Sequence, residues 1–466
     1  MSSAPEAILA GLPADIVRTG ADELAPHLLD WRGQKRGQAL ALLLPRSTED
    51  VQHIVRWAGA HSVGLVPQGG NTGLVGGGVP EADLARLSVV LSMRRMNRIS
   101  DVDARGLSLC AEAGAILADV QGAAERAGCR FPLSLGAKGS ATVGGLVSTN
   151  AGGVQVLRHG PMRSLVLGME AVLPDGSVLN QLSALRKDNS GYDVKQLLIG
   201  AEGTLGVVTR VALKLAPAFA DVSTAWAAVP SAEAALQLLA RLRSGLGERV
   251  ESFELLSADT LALVLRQLPD SRAPLETRSA FHVLMEVEAS REALETLLAG
   301  TMEAGDVLDA VLAGSRAQAE ALWAMRENVA IAERQEGKSV KNDISVPVER
   351  IAAFDAEAVQ LFAREMPGSR PLVFGHLGDG NLHWNLLPPA GVESGPWVEA
   401  NAEAARRLLH DLIARYRGSI SAEHGIGTLK AAELARLGDP GKLSAMRALK
   451  AALDPLGIMN PGKLFV

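Results

Sequence analysis

The amino-acid sequence predicts an α+β protein of more than one domain, and three observations support this prediction. The chain has 466 residues, whereas a single domain usually has about 100–200. Up to about residue 215, short apolar runs alternate with helical patterns, as they do in α/β domains. From about 217 to 420, alanine- and leucine-rich helical stretches alternate with separate strand candidates. We therefore predict an α/β domain over residues 1–216, an α+β domain with an antiparallel sheet over 217–417, and a helical C-terminal segment over 418–466.

The elements of the first domain follow from its apolar runs. These runs predict strands at residues 40–47, 65–67, 88–93, 107–114 and 165–179. The dipeptide Asp175-Gly176 predicts a hairpin turn within the last run. A helix is predicted over residues 47–62, because Ser47 can cap its N-terminus and Val51 and Val55 follow at helical spacing.

The second domain is predicted to combine several helices with antiparallel strands. Its helical stretches are residues 231–247, 291–304, 315–335, 351–365 and 396–417, and its clearest strand is residues 281–288. The last fifty residues read as helical up to LDPLGIMNPGKLFV, where proline and glycine end regular structure.

Composition excludes several classes of protein. The net charge is −6 and no run of Lys or Arg occurs, which argues against a nucleic-acid-binding protein. Two cysteines, Cys110 and Cys129, are too few for a disulfide framework or an iron–sulfur cluster. The N-terminus lacks the pattern of a signal peptide, and no apolar run reaches about 18 residues. We therefore expect a cytoplasmic protein without a membrane span.

Three glycine-rich segments in the first domain predict a ligand that carries phosphate. They are residues 67–78, 135–153 and 199–215, and none contains a Rossmann or P-loop fingerprint in its proper context. Glycines allow successive backbone N–H groups to point at one anion. One such segment is as consistent with a flexible loop as with a ligand site, but three within 150 residues favour a bound dinucleotide.

Together these segments resemble the FAD-binding domain of the vanillyl-alcohol oxidase / p-cresol methylhydroxylase superfamily. The resemblance implies a two-subdomain α/β FAD-binding domain of the p-cresol methylhydroxylase type. Some members attach the flavin through a histidine in the first loop, but residues 68–72 contain none, so we expect non-covalent FAD. The implied FAD-binding residues are Pro67, Gln68, Gly69, Gly70, Asn71, Thr72, Gly73, Leu74, Leu135, Gly136, Ser140, Gly144, Gly145, Ser148, Asn150, Gly152, Gly153, Glu202, Gly206, Val207, Val208 and Asn460.

The stretch FGHLGDGNLHWN, residues 374–385, predicts a hairpin that carries two histidines. A two-residue turn at Asp379-Gly380 would place His376 directly opposite His383 on one face. Two imidazoles so placed can bind one divalent ion. The stretch SAEHGIG, residues 421–427, offers Glu423 as a third ligand. This set leaves open coordination positions, as in a catalytic site, with Zn²⁺ as first choice and Mn²⁺ or Fe²⁺ as alternatives.

Two further segments place cations upstream of this hairpin. Arg326 lies in a predicted helix within WAMREN, and Lys341 starts a predicted strand within SVKNDISVPV. Either one alone is most simply a solvated charge. If both reach the metal site, they can hold carboxylates, Arg326 through two parallel hydrogen bonds and Lys341 as a point charge.

These motifs, in this order, resemble those of FAD-linked D-2-hydroxy acid dehydrogenases over residues 38–466. The resemblance implies that His376, His383 and Glu423 bind the metal, that His424 is the catalytic base, and that the substrate is bound by Arg326, Lys341 and Asn385. The expected substrate is a diacid, D-2-hydroxyglutarate or D-malate, oxidised to the 2-oxo acid by hydride transfer to flavin N5. Two departures from the family pattern are Ala330 in place of a threonine and Asn342 in place of an aromatic residue.

Other functions remain open from the sequence. The same machinery could oxidise D-lactate or glycolate, and the ligand set also permits a 2-His-1-carboxylate iron oxygenase. A third alternative is a non-catalytic FAD-binding subunit. Since the sequence has no iron–sulfur motif, electrons are expected to leave to a separate acceptor. The family resemblance implies that this acceptor is an electron-transfer flavoprotein or a quinone-linked carrier. A homodimer is one expected assembly.

Overall fold

The computed structural model describes residues 4–83 and 85–465. The chain divides into two compact units. The first unit comprises Met1–Gly152, Gly160–Ala218 and Glu423–Val466, and the second comprises Gly153–His159 and Phe219–Ala422. The chain therefore passes from one unit to the other four times.

The strands of the described residues are short in the first unit and longer in the second. In chain order they are β1 (Val17–Arg18), β2 (Leu42–Leu43), β3 (Gly64–Gln68), β4 (Ser88–Ser92), β5 (Ile99–Asp103), β6 (Ser108–Glu112), β7 (Cys129–Arg130), β8 (Val166–Val172), β9 (Val178–Gln181), β10 (Val207–Lys214), β11 (Ala216–Pro217), β12 (Ser223–Val229), β13 (Val250–Ser257), β14 (Phe281–Val287), β15 (Asp309–Leu312), β16 (Asp343–Ser345), β17 (Arg370–His376) and β18 (Asn381–Leu387).

The longest helices of the described residues lie in the second unit. In chain order the helices are α1 (Ala4–Leu9), α2 (Ala21–Leu24), α3 (Thr48–His61), α4 (Leu117–Arg126), α5 (Val143–Thr149), α6 (Val156–His159), α7 (Met162–Leu165), α8 (Lys195–Leu198), α9 (Ala232–Leu246), α10 (Ala258–Gln267), α11 (Arg291–Glu303), α12 (Arg316–Glu327), α13 (Val329–Glu336), α14 (Ile351–Glu365), α15 (Ser394–Arg415), α16 (Ala431–Leu437) and α17 (Pro440–Leu453).

The first unit contains two main sheets and a two-stranded one. One sheet has the strand order β1-β2-β4-β3, with β4 parallel to both of its neighbours. The other has the order β5-β6-β10-β8-β9 and is antiparallel. The apolar faces of both sheets and of helices α3, α4 and α5 contribute to one hydrophobic core.

Several predicted elements of the first unit agree with the structure. The Ser47 side chain accepts a hydrogen bond from Asp50 N and so caps α3, which spans Thr48–His61. The hairpin predicted at Asp175-Gly176 joins β8 to β9, and Gly176 has a φ of 79°, which a glycine adopts without strain. The run at residues 40–47 is strand only at Leu42–Leu43.

The second unit is built on one antiparallel sheet with the strand order β15-β12-β14-β13-β17-β18-β16. Alternate residues of its strands face two different cores, because successive side chains of a strand point to opposite faces. Phe253 and Trp384 pack with helices α9, α11, α14 and α15. Leu256 and Phe374 pack with helices α10, α12 and α13 on the other face. The predicted α+β class with an antiparallel sheet is thus confirmed.

The helix predicted over residues 315–335 is interrupted. It forms α12 and α13, which meet at Asn328, the C-cap of the first and the N-cap of the second. Ala330 therefore lies on α13, whereas Arg326 lies on α12.

The register predicted for the histidine hairpin is wrong. β17 ends at His376, a 3₁₀ turn occupies Leu377–Asp379, and β18 starts at Asn381. His383 consequently pairs with Phe374 instead of His376.

The reason lies in the backbone of the turn. A type I′ turn needs two successive left-handed residues. Gly380 has a φ of 88°, but Asp379 belongs to the 3₁₀ turn, where its carboxylate accepts a hydrogen bond from Asn381 N at 3.0 Å. The acidic side chain thus stabilises a longer loop than its dipeptide signal predicts.

Among the described residues, no helix has both the length and the apolar character needed to cross a membrane.

Glu336 links three elements of the second unit. Its hydrogen bonds predict how the free energy of unfolding depends on pH. It accepts hydrogen bonds from Arg266, Gln267 and Arg370 at 2.7 to 2.9 Å. Burial alone would raise the pKa of Glu336, but these donors lower it to about 2. Since its ordinary pKa is near 4.5, the stabilisation is complete above pH 4.5 and is lost as pH falls towards 2.

We expect Glu336→Gln to lower the free energy of unfolding by about 1–2 kcal/mol at pH 7, allowing for solvent screening. The difference from the wild type should shrink in urea denaturation at pH 3. The control is Glu320→Gln, which removes the exposed pair with Arg316 and should change stability by less than about 0.5 kcal/mol. A Glu336 effect that does not depend on pH would contradict this account.

Candidate active site

The first two glycine-rich segments of the first unit lie directly against each other. A Cβ atom added to Gly70 would overlap the carbonyl oxygen of Ser140, and one added to Gly69 would overlap Oγ1 of Thr142. Glycine is therefore required at both positions for the two backbones to approach this closely.

The third glycine-rich segment lies against the same region. Glu202 N donates a hydrogen bond to Ser148 O at 2.7 Å, and Gly200 N donates one to Val147 O at 3.0 Å. The backbone near Gly203, which has a φ of 72°, lies beside the ring of Pro67. The three segments, separate in sequence, thus form one cluster of backbone.

Four residues of this cluster are not glycine and yet have positive φ angles, between 41° and 52°. They are Asn71, Asn150, Glu202 and Asn460. Such backbone is costly and is kept where neighbouring structure determines it. The asparagines are each held by a hydrogen bond of their own side chain to a backbone group, for example Asn460 Nδ2 to Glu202 O at 2.6 Å.

The cluster fits a polar ligand. Thr142 Oγ1 and Asn460 Oδ1 are both buried and have no hydrogen-bond partner among residues 4–83 and 85–465. Buried polar atoms are nearly always hydrogen-bonded, so these two atoms are suited to a bound group with donors and acceptors. All residues that the resemblance implied for FAD lie in the first unit except Gly153, which belongs to the second.

The carboxylate of Glu202 has a further role. Its two oxygens accept hydrogen bonds from Ile426 N and Gly427 N, each at 2.7 Å. Burial raises the pKa of Glu202, although these two N–H groups act in the opposite direction. Gly427 has a φ of 51°, and a Cβ at this position would overlap Val75 O. The segment that follows Glu423 and His424 is therefore fixed within the first unit.

The centre of the second unit's site is a buried carboxylate between a cation and an imidazole. Glu254 on β13 pairs with His376 on β17 across the sheet. Oε1 of Glu254 lies 2.6 Å from Nδ1 of His376, and Oε2 accepts a hydrogen bond from Nε of Arg326 at 2.8 Å. Burial alone would raise the pKa of Glu254, but His376 and Arg326 lower it below its ordinary range.

Aromatic contacts connect these groups to the second histidine. The Arg326 guanidinium lies 4.9 Å from the ring centroid of Phe374. The Phe374 ring is 4.9 Å from that of His383, and the His383 ring is 6.1 Å from that of His376. The structure thus brings the two histidines and Arg326 together, although by a different register from the predicted one.

A second buried glutamate holds the other predicted substrate contacts. Oε2 of Glu333 accepts hydrogen bonds from Lys341 Nζ at 2.6 Å and from Asn385 Nδ2 at 3.1 Å. Asn385 Oδ1 accepts a hydrogen bond from Asn342 N at 2.9 Å. Asn342, which replaces an aromatic residue of the family pattern, is buried.

Sequence reasoning missed Glu254, Glu333 and a further ligand candidate, Asp343. The signal for Glu254 is an acidic residue inside the apolar run of a strand, FELL. Asp343 pairs with His383 across β16 and β18, and a carboxylate oxygen of Asp343 lies within 4.8 Å of a ring nitrogen of His383. Nitrogen and oxygen donors of this kind suit Zn²⁺, Mn²⁺ or Fe²⁺.

Glu423 and His424 belong to the first unit and also offer ligand atoms within 4.8 Å of each other. They follow closely on the second unit along the chain. Ser419, four residues before Glu423, is paired with Ser345 at the end of β16.

Comparisons with known proteins identify the family to which the chain belongs. Residues 39–181 match the family model of an FAD binding domain, and residues 220–464 match that of the C-terminal domain of FAD linked oxidases. The mitochondrial D-2-hydroxyglutarate dehydrogenase of Bos taurus is 41% identical over 455 residues, which cover 96% of this chain and 81% of that protein. The D-2-hydroxyglutarate dehydrogenase of Xanthomonas citri pv. viticola is 38% identical, covering 97% of this chain and 95% of that protein.

Solved structures show the same fold. p-Cresol methylhydroxylase with substrate bound has a TM-score of 0.75 at 16% identity, covering 99% of this chain and 96% of that chain. An alkyldihydroxyacetonephosphate synthase has a TM-score of 0.73 at 17% identity, covering 99% of this chain and 85% of that chain.

The glycine-rich cluster, the two domain matches and this fold define an FAD-dependent D-2-hydroxy acid dehydrogenase of the p-cresol methylhydroxylase fold. Within that class, the chain belongs to the D-2-hydroxyglutarate dehydrogenase family.

The close approach at Gly70 predicts a specific loss of cofactor. We expect Gly70→Ala to lower the affinity for FAD at least tenfold, because the added methyl group separates the loop from Ser140. Flavin absorbance of the purified protein and FAD titration of the apoprotein measure this. Gly139→Ala is the matched control, since a Cβ there meets no atom within 4 Å. Equal FAD affinity in the two variants would show that the close packing at Gly70 is not required.

Proposed function

We propose that this chain oxidises D-2-hydroxyglutarate, and also D-malate, to the 2-oxo acid, with non-covalent FAD and one divalent metal, Zn²⁺ in the first instance. The observation that carries the substrate proposal is the presence of two cations, Arg326 and Lys341, in the unit that holds the histidine pair, each bound to a buried glutamate. Two cations suit a substrate with two carboxylates. The names of the relatives from Bos taurus and Xanthomonas citri support the same diacid.

The proposed metal ligands are His376, His383 and Glu423, with Asp343 as a further oxygen donor. Glu254 contacts Nδ1 of His376, and metal-binding histidines commonly bond to a carboxylate through the ring nitrogen that does not bind the metal. The proximity of the two rings, whose centroids are 6.1 Å apart, supports the proposal that both would hold one ion. When bound, the metal supplies Lewis acidity that lowers the pKa of the substrate hydroxyl.

His424 is the proposed base. It takes the proton from the C2 hydroxyl, a task that suits an imidazole near neutral pH. When bound, FAD supplies the acceptor for the hydride that leaves C2. Arg326, Lys341 and Asn385 hold the carboxylates and so fix C2 in position. Loss of one proton and one hydride converts the 2-hydroxy acid to the 2-oxo acid.

The principal alternative is the same reaction on D-lactate or glycolate. Ala330 favours it in part, because a threonine hydroxyl present in the family pattern is absent here. A 2-His-1-carboxylate oxygenase is less well supported, because the match to an FAD binding domain indicates flavin redox chemistry. We further propose that electrons leave to an electron-transfer flavoprotein or a quinone-linked carrier.

Anaerobic bleaching of the flavin tests substrate and metal together. We expect D-2-hydroxyglutarate and D-malate to bleach the flavin, with KM for D-lactate at least tenfold higher, because a monoacid has no second carboxylate to bind the second cation. Chelator treatment should abolish bleaching without releasing FAD, and added Zn²⁺ or Mn²⁺ should restore it. A preference for D-lactate would refute the diacid assignment, and bleaching after complete metal removal would refute the metal.

Substitution of His424 tests the base. We expect His424→Ala to lower kcat by about 10²–10⁴-fold with D-2-hydroxyglutarate, while FAD content stays at the wild-type level. His53→Ala is the control, since His53 is an exposed histidine that bonds to Gly11 O in the first unit. Retention of more than a tenth of wild-type kcat in His424→Ala would assign the proton transfer to another group.

A further inference from the structure

Glu254 has no solvent-exposed side-chain surface, and both of its oxygens are used. Taking a carboxylate out of water costs several kcal/mol unless charged donors satisfy it. One oxygen meets a histidine of the proposed metal site, and the other meets the arginine of the proposed carboxylate site. One buried group thus contacts both halves of the substrate-binding machinery.

The contacts form a closed ring in the second unit. Arg326 lies over Phe374, the Phe374 ring lies against His383, and the His383 ring lies near that of His376. Glu254 closes this ring between His376 and Arg326. Replacement of the Glu254 carboxylate would therefore directly affect both the His376 imidazole and the Arg326 guanidinium.

We propose that Glu254 is a positioning residue that couples metal binding to recognition of the substrate's distal carboxylate. It fixes the tautomer and orientation of His376 so that Nε2 faces the metal. It also binds Nε of Arg326, so that the two terminal nitrogens of the guanidinium remain for the substrate carboxylate. This inference rests on the proposed function and adds a residue that neither touches substrate nor binds the metal.

The substitution Glu254→Gln separates this role from simple space filling. Glutamine keeps the shape but has one acceptor oxygen and one donor NH₂ group. If the oxygen faces His376, the NH₂ group opposes the N–H of Arg326. If the oxygen faces Arg326, the NH₂ group donates to Nδ1 of His376 and moves the imidazole proton to Nε2, which can then no longer bind a metal. Either orientation harms one of the two groups.

Glu251 provides the matched control on the same strand. Its side chain is also completely buried, and it also pairs with an arginine, Arg158, at 3.0 Å. Arg158 and His159, two partners of Glu251, lie on α6 and are not residues of the proposed reaction. Glu251→Gln therefore imposes a similar loss of a buried ion pair without the proposed coupling.

Two measurements on FAD-loaded protein test the proposal. The first is the affinity for Zn²⁺, measured without turnover by competition with a chromogenic chelator. We expect Glu254→Gln to lower it by about 10–100-fold and Glu251→Gln to leave it unchanged. The second is KM under saturating Zn²⁺, which should rise at least tenfold for D-2-hydroxyglutarate in Glu254→Gln but less than threefold for D-lactate.

The outcomes are distinguishable. If Zn²⁺ affinity and the ratio of the two KM values in Glu254→Gln match those in Glu251→Gln, the coupling is refuted. If wild-type protein binds no divalent metal or prefers D-lactate, the proposed function fails instead. Should Glu254→Gln lose FAD or its wild-type circular dichroism, Glu254→Asp is measured in the same way. Aspartate keeps the charge, but its shorter side chain moves the oxygens away from His376 and Arg326. Wild-type Zn²⁺ affinity and KM values in Glu254→Asp would equally refute the proposal.

Discussion

The pairing of β13 with β17 places a carboxylate and an imidazole opposite each other in the buried middle of an antiparallel sheet, and the rest of the second unit's site depends on it. Since side chains alternate along a strand, a slip of one residue would turn Glu254 or His376 towards the opposite core. That core is lined by Phe253 and Trp384, where an ionised carboxylate would have no partner. The apolar residues on both faces of β13 thus fix the register, and the register fixes the polar contact. The residues that fill the two cores therefore also determine which polar groups contact each other.

The sequence was most informative where the determining signal is local. The cap at Ser47, the D-G hairpin at residues 175–176 and most helical stretches of the second unit depend on neighbours within a few residues. The structure agrees with them, except that the stretch at residues 315–335 is divided at Asn328. The loop at residues 377–380 shows the limit of such signals. Asp379, like Asp175, accepts a hydrogen bond from the backbone N–H two residues later, and both loops are longer than two residues. The dipeptide Asp-Gly thus indicates that the chain turns, but it does not give the number of residues in the turn.

The residues that sequence reasoning missed depend on distant partners. Glu254 is 122 positions from His376 and 72 from Arg326 along the chain, and Glu333 is 52 positions from Asn385. Composition marks each as an ordinary charged residue, and only the fold shows that both are buried and paired. The sequence motifs located Arg326, Lys341 and Asn385 through family resemblance, but resemblance does not reveal which side chains hold them in place. The structure shows that Arg326 and Lys341 each have a buried glutamate as partner.

The discontinuity of the first unit has a consequence for biosynthesis. Its sheet strand β3 is bridged to Met459, and Asn460 N bonds to Leu65 O, so residues near the end of the sequence are built into the unit that begins it. All residues of the second unit, by contrast, precede residue 423. During synthesis, the ribosome therefore releases every residue of the second unit before it releases those that complete the first. The first unit can therefore be completed only after residues 459 and 460 have been synthesised, although the N-terminal domain usually folds first.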